Sequence, residues 1–275
     1  MAGCAGRGIT PLNGPQPSYP YRAPESHSRE WQAADSLWAL RSDANAARRS
    51  LKLYRKATEA SQMIPELWSR LSHACYYVAA YLETAPDKKE ALFREGQDAA
   101  EKGMLLDPGY AVKFRDTGDE TEAVRYLNAS YAEVLFWYIA NLGRELSQET
   151  LIIRRGNKDR VEALNKRLMK MDPTIYYAGP HRIAAILPIR LPEGNPAIAK
   201  AEFETCLALA PMYLGNRVAY AEFYAVRAKD KSLFQSQLSL VLTASTDTVP
   251  EIAPENRIAQ EQAKALLART AELFK

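Results

Sequence analysis

Residues 197–211 read AIAKAEFETCLALAP, and the spacing of small and large side chains in this stretch decides the fold. Ala199, Phe203 and Cys206 recur at helical spacing, and Pro211 follows them. Small, large and small residues followed by proline are typical of the second helix of a tetratricopeptide hairpin. The small residues let a partner helix approach closely, and proline ends the helix because it has no N–H to donate. The stretch therefore predicts a helix hairpin.

Three further stretches repeat this pattern less regularly. They lie at residues 50–57, at residues 96–108 and in VEALNKRLMKMDP, which ends at Pro173. The long interval between the second and third copies predicts an extra helix over residues 121–148. A last helix is predicted after residues 253–256, APEN, where it would cap the bundle. Because apolar residues recur at helical spacing almost throughout, we expect an all-α bundle of degenerate tetratricopeptide-like hairpins.

The composition excludes several classes of protein. The net charge is +3, and the basic residues are not clustered as in a nucleic-acid-binding protein. No apolar run approaches the roughly 20 residues of a membrane span. Cys75 and Cys206 lie in helical patterns and are predicted to be buried free thiols, with a bridge open only if their helices touch. No catalytic or metal-binding motif is present, so we expect no enzyme activity, no metal and no cofactor.

Three segments are rich in aromatic residues: the helix predicted over residues 121–148, and residues 174–192 and 210–225. The first is apolar nearly all round, so it is either a central core helix or a helix with one face on a cavity. In the second, Gly179 and Pro180 predict a turn that places His181 and Arg182 at a helix start, where basic residues oppose the helix dipole. For all three segments, packing alone and cavity lining both stay open. The candidate ligand-binding residues are Tyr131, Leu135, Tyr138, Asn141, Leu142, Tyr176, Tyr177, His181, Arg182, Ile183, Ile186, Arg217, Tyr220, Phe223 and Tyr224.

Four motifs in order carry a more specific signal. They are FWYIANLG (136–143), YYAGPHR (176–182), YLGNRVAYAEFYA (213–225) and APENRIAQEQAKALL (253–267). Over roughly residues 30–275 the chain resembles the T-component (TatT) family of TRAP transport systems. The resemblance implies an all-helical, tetratricopeptide-like lipoprotein of the bacterial periplasm, with a central hydrophobic pocket or channel. It also implies association with a periplasmic solute-binding protein. Ile139 stands where this resemblance implies a small residue, so the pocket shape is expected to differ.

The resemblance extends to proteins that occur beside lipid export and sterol-trafficking machinery. Carried onto this chain, its motifs point to Tyr138, Asn141, His181, Arg182, Arg217, Tyr220 and Tyr224. We therefore expect a non-enzymatic periplasmic carrier or conduit for an apolar ligand, such as a sterol, a fatty acid or another lipid. The alternative is a scaffold that docks a solute-binding protein without binding a ligand itself, and a purely structural repeat protein ranks third. We expect no nucleic-acid partner, and the oligomeric state stays open, a homo-oligomer included.

The N-terminal residues match part of a bacterial lipobox. Ala2, Gly3 and Cys4 agree with its last three positions, which predicts that Cys4 is lipidated and is the only membrane attachment. Ala5 rather than Asp follows the cysteine, which by the usual sorting rule indicates the outer membrane. Residues 1–29 are then the lipoprotein N-terminus with a disordered, proline-rich tether, and residues 30–275 form one helical domain. The alternative is a chance cysteine in a disordered tail.

Overall fold

Helices make up nearly all of the regular structure. The computed structural model describes residues 28–192 and 194–275, and within these ranges it contains α-helices, short π and 3-10 segments, and no β-strand. This confirms the all-α bundle. Cys4 and the predicted tether lie outside the described residues, apart from the tether's last two positions. The α-helices are α1 (Arg29–Trp38), α2 (Ala44–Ala60), α3 (Pro65–Tyr77), α4 (Pro86–Met104), α5 (Pro108–Thr117), α6 (Glu120–Ala123), α7 (Ala132–Leu146), α8 (Leu151–Gly156), α9 (Lys158–Met171), α10 (Ile175–Ile186), α11 (Pro196–Leu209), α12 (Gly215–Ala219), α13 (Lys231–Thr243), α14 (Ala253–Ala268) and α15 (Thr270–Leu273).

The starts of the helices follow local chemistry. Helices α3, α4, α5 and α11 each begin with a proline, whose fixed φ suits the first helical position and whose missing N–H costs nothing there. Asp43 caps α2 by accepting a hydrogen bond from the Ala46 N–H at 2.8 Å. Asp107 does the same for α5 through the Tyr110 N–H at 2.9 Å. These signals set where each hairpin turns.

The small–large–small positions of the repeats form the contacts between helices. Phe203 and Cys206 are fully buried in α11, which packs against α10. Tyr54 is fully buried in α2, and the hydroxyl of Ser50 donates a hydrogen bond to the Ala34 carbonyl of α1 at 2.8 Å. Cys75 is also buried, and neither it nor Cys206 is in a disulfide. The prediction of two buried free thiols is therefore confirmed.

The single helix predicted over residues 121–148 is wrong. The chain forms α6 and two 3-10 turns before α7 begins at Ala132. Leu127 has an extended backbone, and the Asn128 side chain accepts a hydrogen bond from the Ser130 N–H at 3.0 Å. The Asn128 N–H in turn donates to Asp107 Oδ2 at 3.1 Å. These polar contacts compete with helical hydrogen bonds, and the apolar periodicity did not reveal them.

The turn in the first part of α10 also differs from the prediction. Tyr176, Tyr177 and Ala178 have φ values of 44°, 58° and 61°, so the chain turns before Gly179 rather than at it. Gly179 is needed for a different reason. A Cβ atom there would lie 2.3 Å from Cε2 of the buried Phe136 ring, so a glycine lets α10 approach α7 closely.

A buried ion pair joins the two ends of the described chain. Arg41, after α1, donates from Nε and NH2 to the two carboxylate oxygens of Glu255 in α14, both at 2.8 Å. The guanidinium also donates to the Glu251 carbonyl and lies 5.0 Å from the Trp38 ring centroid. Helix α14 begins at Ala253 rather than after Asn256, so Glu255 lies in its first turn. The C-terminal helix is therefore tied to the N-terminal hairpin. None of the described helices is both long enough and apolar enough to cross a membrane.

Candidate functional site

A cavity of about 440 Å³ lies among α7, α10, α14 and the segment from α12 to the π-helical turn Tyr220–Ala225. Its walls also include side chains from the end of α3, the π-helical turn Val78–Leu82, and α8. The volume falls within the range of roughly 300–1,000 Å³ that is typical of ligand pockets.

Aromatic rings form one wall of the cavity. The Tyr176 ring packs edge-to-face against Trp137, with ring centroids 4.6 Å apart, and lies 5.0 Å from the Phe136 ring. Tyr213 is 5.6 Å from Tyr176, and Tyr76 is 5.6 Å from Trp137. Contacts between rings at these separations stabilise the wall beyond the area that they bury. The result is a rigid, largely apolar surface.

The position of Tyr176 depends on strained backbone. Three consecutive non-glycine residues adopt the left-handed conformation, which costs about 1–2 kcal/mol each. Asn216, which is fully buried, holds this turn in place. Its Nδ2 donates to the Tyr177 carbonyl at 3.2 Å, and its Oδ1 accepts from Arg182 Nη1 at 2.6 Å. Strain that the surrounding structure maintains in this way is characteristic of binding and catalytic sites.

Two π-helical turns also lie on the cavity. Tyr81 comes from the turn Val78–Leu82, and Glu222 and Phe223 come from the turn Tyr220–Ala225. A π turn adds one residue to a helical turn and so rotates the following side chains, and such turns are frequent at functional sites. Here they change which side chains of the two helices reach the cavity.

Four arginines line the cavity without a carboxylate partner among the described residues: Arg144, Arg154, Arg182 and Arg190. A fifth, Arg269, forms an ion pair with Glu272 at 2.8 Å. Within the described part of the chain, Glu222 is the one acidic residue in the lining. The cavity is therefore apolar on its aromatic side and has excess positive charge.

The pKa shifts in the lining reflect this charge. Burial lowers the pKa of Arg190, and the charges of Arg144 and Arg154 lower it further, while Glu222 acts in the opposite direction. Burial alone would raise the pKa of Tyr76. The charges of Arg144 and Arg182 and a hydrogen bond from Arg144 outweigh it and lower the pKa below the ordinary value. The contributions of the neighbouring arginine charges to both pKa values indicate a positive potential in this part of the cavity.

A second, more open depression of about 640 Å³ adjoins the cavity. The two share Tyr81, Gln262 and Ala265 as lining residues. The π turn Val78–Leu82 and α14 therefore form the wall between the depressions.

Five of the predicted site residues lie on the cavity, and the other ten do not. Those on it are Tyr176, Arg182, Ile183, Ile186 and Phe223. The others have different surroundings: Tyr131, Leu135, Tyr138, Asn141, Leu142, Tyr177, His181, Arg217, Tyr220 and Tyr224. Because no ligand is present, binding by any of the fifteen stays a prediction.

The residues away from the cavity have other partners. Asn141 is fully buried, donates to the Ser72 carbonyl and hydroxyl at 3.3 and 3.1 Å, and packs against Gly96. The Tyr138 hydroxyl accepts from Arg160 NH2 at 2.6 Å. Leu135 and Leu142 are core residues, whereas Tyr131 is half-buried at the start of α7.

The remaining five also lie outside the lining and have partners of their own. His181 Nδ1 is 2.6 Å from Glu202 Oε2 of α11, and Arg217 donates to Gln237 Oε1 of α13 at 2.8 Å. Tyr177 stacks on Tyr213. Tyr220 stacks on Phe203, and Tyr224 lies against Tyr220.

Several lining residues were missed in the sequence. Arg144 follows Trp137 by seven positions on α7, so it repeats the face of an aromatic residue already noted. That spacing could have revealed Arg144, whereas Arg190 follows the 3-10 turn Leu187–Ile189, where α-helical periodicity no longer applies. Tyr76, Tyr81 and Glu222 had no such signal, because π turns break the helical periodicity next to them.

A comparison with known families agrees with this architecture. The model of the TRAP transporter T-component family matches residues 79–274, which is more than two thirds of the chain and includes all the cavity-lining segments except the end of α3. No curated protein matches the chain. The protein therefore belongs to the TRAP transporter T-component family, whose members are components of a transport system.

Proposed function

We propose that this protein is a non-enzymatic carrier or conduit that takes up an apolar ligand, a sterol, fatty acid or other lipid, in the cavity between α7 and α10. The observation that carries the proposal is the cavity itself, with a volume of about 440 Å³ and a lining in which aromatic and aliphatic side chains predominate. It rests equally on membership of a transport-associated family.

The physics of the wall favours an apolar ligand. Transfer of apolar surface from water into such a site stabilises the complex by about 25 cal/mol per Å². Trp137, Phe136 and Tyr176 are held in place by their neighbours, so little side-chain entropy is lost when a ligand binds. A ligand with a rigid body would lose little entropy of its own.

The choice between carrier and conduit depends on the shared wall. Tyr81 lies between the cavity and the adjoining depression, and its ring packs on Tyr76 and Tyr77 at 6.1 and 5.2 Å. Removal of this ring by Tyr81→Ala would connect the two spaces. For a conduit, we expect Tyr81→Ala to speed ligand exchange in both directions without a loss of affinity, measured by stopped-flow release of a fluorescent sterol.

A pair of glycine variants tests whether ligand occupies the cavity. Gly143 lines it, and a Cβ at Gly143 would have no atom within 4 Å, so Gly143→Phe places a ring in the space without a clash at Cβ. Gly156 also has open space around a Cβ but lies outside the lining, so Gly156→Phe is the matched control.

We expect native mass spectrometry and lipid extraction to find copurifying lipid in the wild type and in Gly156→Phe. In Gly143→Phe the affinity for dehydroergosterol or a fluorescent fatty acid should fall at least about tenfold, or about 1.4 kcal/mol. Equal binding by the two variants would show that the lipid is elsewhere. The absence of saturable binding to the wild type would refute the carrier and favour the scaffold.

The scaffold alternative has one specific observation in its favour. On the short helix α8, Ile152 and Ile153 are 82% and 42% exposed, and they adjoin Arg154 of the cavity lining. Exposed apolar pairs of this kind can form part of a protein interface. If the protein only docks the solute-binding protein of its transport system, Ile152→Asp should abolish that complex in a pull-down while lipid titrations of the wild type stay flat.

The proposal also includes a subcellular location. We propose that the protein is periplasmic and is held at the outer membrane through lipidated Cys4, on the evidence of the partial lipobox Ala2–Gly3–Cys4. Expression of the precursor with Cys4→Ser should release the protein into the soluble fraction, while the unchanged precursor sediments with membranes. Retention of the serine variant on membranes would refute lipid anchoring.

A further inference from the structure

The positive charge of the cavity has no counterpart in a purely apolar ligand. Arg144 donates from Nε to the Tyr76 hydroxyl at 3.1 Å, and its two terminal nitrogens have no partner among the described residues. Arg190 rests on the Phe223 ring at 4.8 Å, and its guanidinium makes no hydrogen bond within that part of the chain. Both arginines are half-buried, so a ligand that covers them removes water from the guanidiniums, which is costly unless the ligand supplies an acceptor.

Two further arginines adjoin this pair. Arg182 is held by Asn216 Oδ1 at 2.6 Å and lies 5.0 Å from the Tyr213 ring centroid, so its orientation is set before any ligand arrives. The Nε of Arg154 is buried and has no hydrogen-bond partner among the described residues. Glu222, the acidic residue of the described lining, is close enough to Arg144 and Arg190 to raise the pKa of both side chains. One carboxylate against four guanidiniums leaves an excess of positive charge.

We propose that the cavity binds an acidic amphiphile, whose anionic head group is held by Arg144 and Arg190 with Arg182 and Arg154 beside them, and whose apolar body lies along Trp137 and Tyr176. This inference rests on the proposed lipid-binding function and specifies its ligand class. A planar guanidinium with free N–H groups matches the two oxygens of a carboxylate or phosphate, and hydrogen bonds between charged partners are about twice as strong as neutral ones.

The lining also favours a ligand in which the anionic head group is attached to an apolar body. The aromatic wall and the arginines line the same cavity, so an amphiphile satisfies both at once. A small free anion would neutralise the arginines but would leave the apolar wall exposed to water. A neutral lipid would cover the wall but would leave the guanidiniums without acceptors.

The test uses decanoate and 1-decanol, which share a ten-carbon chain and differ in the acidic head, together with acetate, which has the head and almost no chain. We expect isothermal titration calorimetry to give decanoate at least about tenfold tighter binding than 1-decanol. Acetate at the same concentration should neither bind nor displace decanoate.

Charge-removing variants locate the head group. Arg144→Met and Arg190→Met should each weaken decanoate binding, and the double variant should bring it to the level of 1-decanol while 1-decanol binding is unchanged. Glu222→Gln should strengthen decanoate binding. Arg115→Met removes the same charge from a side chain that is 74% exposed on α5, and it should change neither affinity. Thermal midpoints check that each variant is folded.

The outcomes distinguish a failure of this inference from a failure of the proposed lipid-binding function. Equal affinity for decanoate and 1-decanol, or a preference for decanoate that survives the double variant, overturns the acidic amphiphile but leaves a lipid carrier standing. Acetate binding as tight as decanoate binding also overturns it, because the site would then hold a free anion. If neither ten-carbon compound binds but dehydroergosterol does, this inference fails and the lipid carrier stands; if none of the three binds, the proposed function fails and this inference fails with it.

Discussion

Replacement of Asn216 by alanine should destabilise the protein much more than the loss of an average buried amide. Asn216 accepts the 2.6 Å hydrogen bond from Arg182 and donates to the carbonyl of Tyr177 at 3.2 Å. A hydrogen bond to a charged group contributes about 1.5–3 kcal/mol, and a neutral one about 0.5–1.5 kcal/mol. The two together give a loss of about 3 kcal/mol in the free energy of unfolding.

Asn165 provides the matched comparison. It is also buried, but its side chain makes one hydrogen bond, from Nδ2 to the Pro180 carbonyl at 3.0 Å, and its Oδ1 has no partner among the described residues. Asn165→Ala should therefore cost about 1 kcal/mol. The two substitutions remove the same atoms, so the difference between them reports the contacts that Asn216 has in excess of Asn165: chiefly those to Arg182 and the left-handed turn, with two longer hydrogen bonds at 3.5 Å to the Cys206 and Ala210 carbonyls.

Urea unfolding followed by circular dichroism measures both losses, and thermal unfolding should agree. A chain of this size loses about 2–4 °C of melting temperature per kcal/mol. We therefore expect a shift of roughly 6–12 °C for Asn216→Ala and roughly 2–4 °C for Asn165→Ala. Equal shifts would show that Asn216 does not hold the turn, and the argument that strain at Tyr176 is maintained by this residue would then be refuted.

Three further substitutions test the packing of the bundle by urea unfolding. Arg41→Ala leaves the buried Glu255 carboxylate without its guanidinium, so it should cost about 3–5 kcal/mol, and a loss below 1 kcal/mol would show that the pair does not tie the termini together. Gly179→Ala puts a Cβ 2.3 Å from the Phe136 ring and should cost about 1–3 kcal/mol, unless α10 can move away freely. Gly143 lies within α7, and a Cβ there would point into open space, so Gly143→Ala should stabilise the protein by about 0.5–1 kcal/mol because alanine is the better helix former. Destabilisation would indicate that the space is filled.

The sequence was sufficient to predict the fold where the residues that recur at helical spacing are also the buried ones. Ala199, Phe203 and Cys206 are each fully buried, as small–large–small spacing requires of a hairpin helix. The breaks were harder to predict. The break near Asn128 depends on Asp107, which lies 21 residues away in the chain, and no local pattern shows such a contact.

The residues that line the cavity were harder to predict from the sequence, because they come from many separate helices and turns. Helical periodicity selected Ile183 and Ile186 on α10, and the conflict with the helix dipole selected Arg182; all three line the cavity. The same reasoning placed His181 beside Arg182, but His181 faces Glu202 of α11 instead. Consecutive residues of a helix point in different directions, so a dipole conflict can mark a turn of the helix without showing which side chain faces the site.

The charge of the lining changes which ligand the chain is expected to prefer. The resemblance implied an apolar ligand such as a sterol, a fatty acid or another lipid, and the lining combines the aromatic wall around Trp137 with arginines that have no carboxylate partner in the described chain. A neutral sterol that filled the cavity would exclude water from Arg144 and Arg190 and supply no acceptor in its place, at a cost that grows with burial. An acid with a long or fused-ring body would gain from the same wall and remove that cost. The preference between paired acids and alcohols therefore depends more on the two arginines than on the shape of the apolar body, which is why the decisive titrations vary the head group and hold the chain constant.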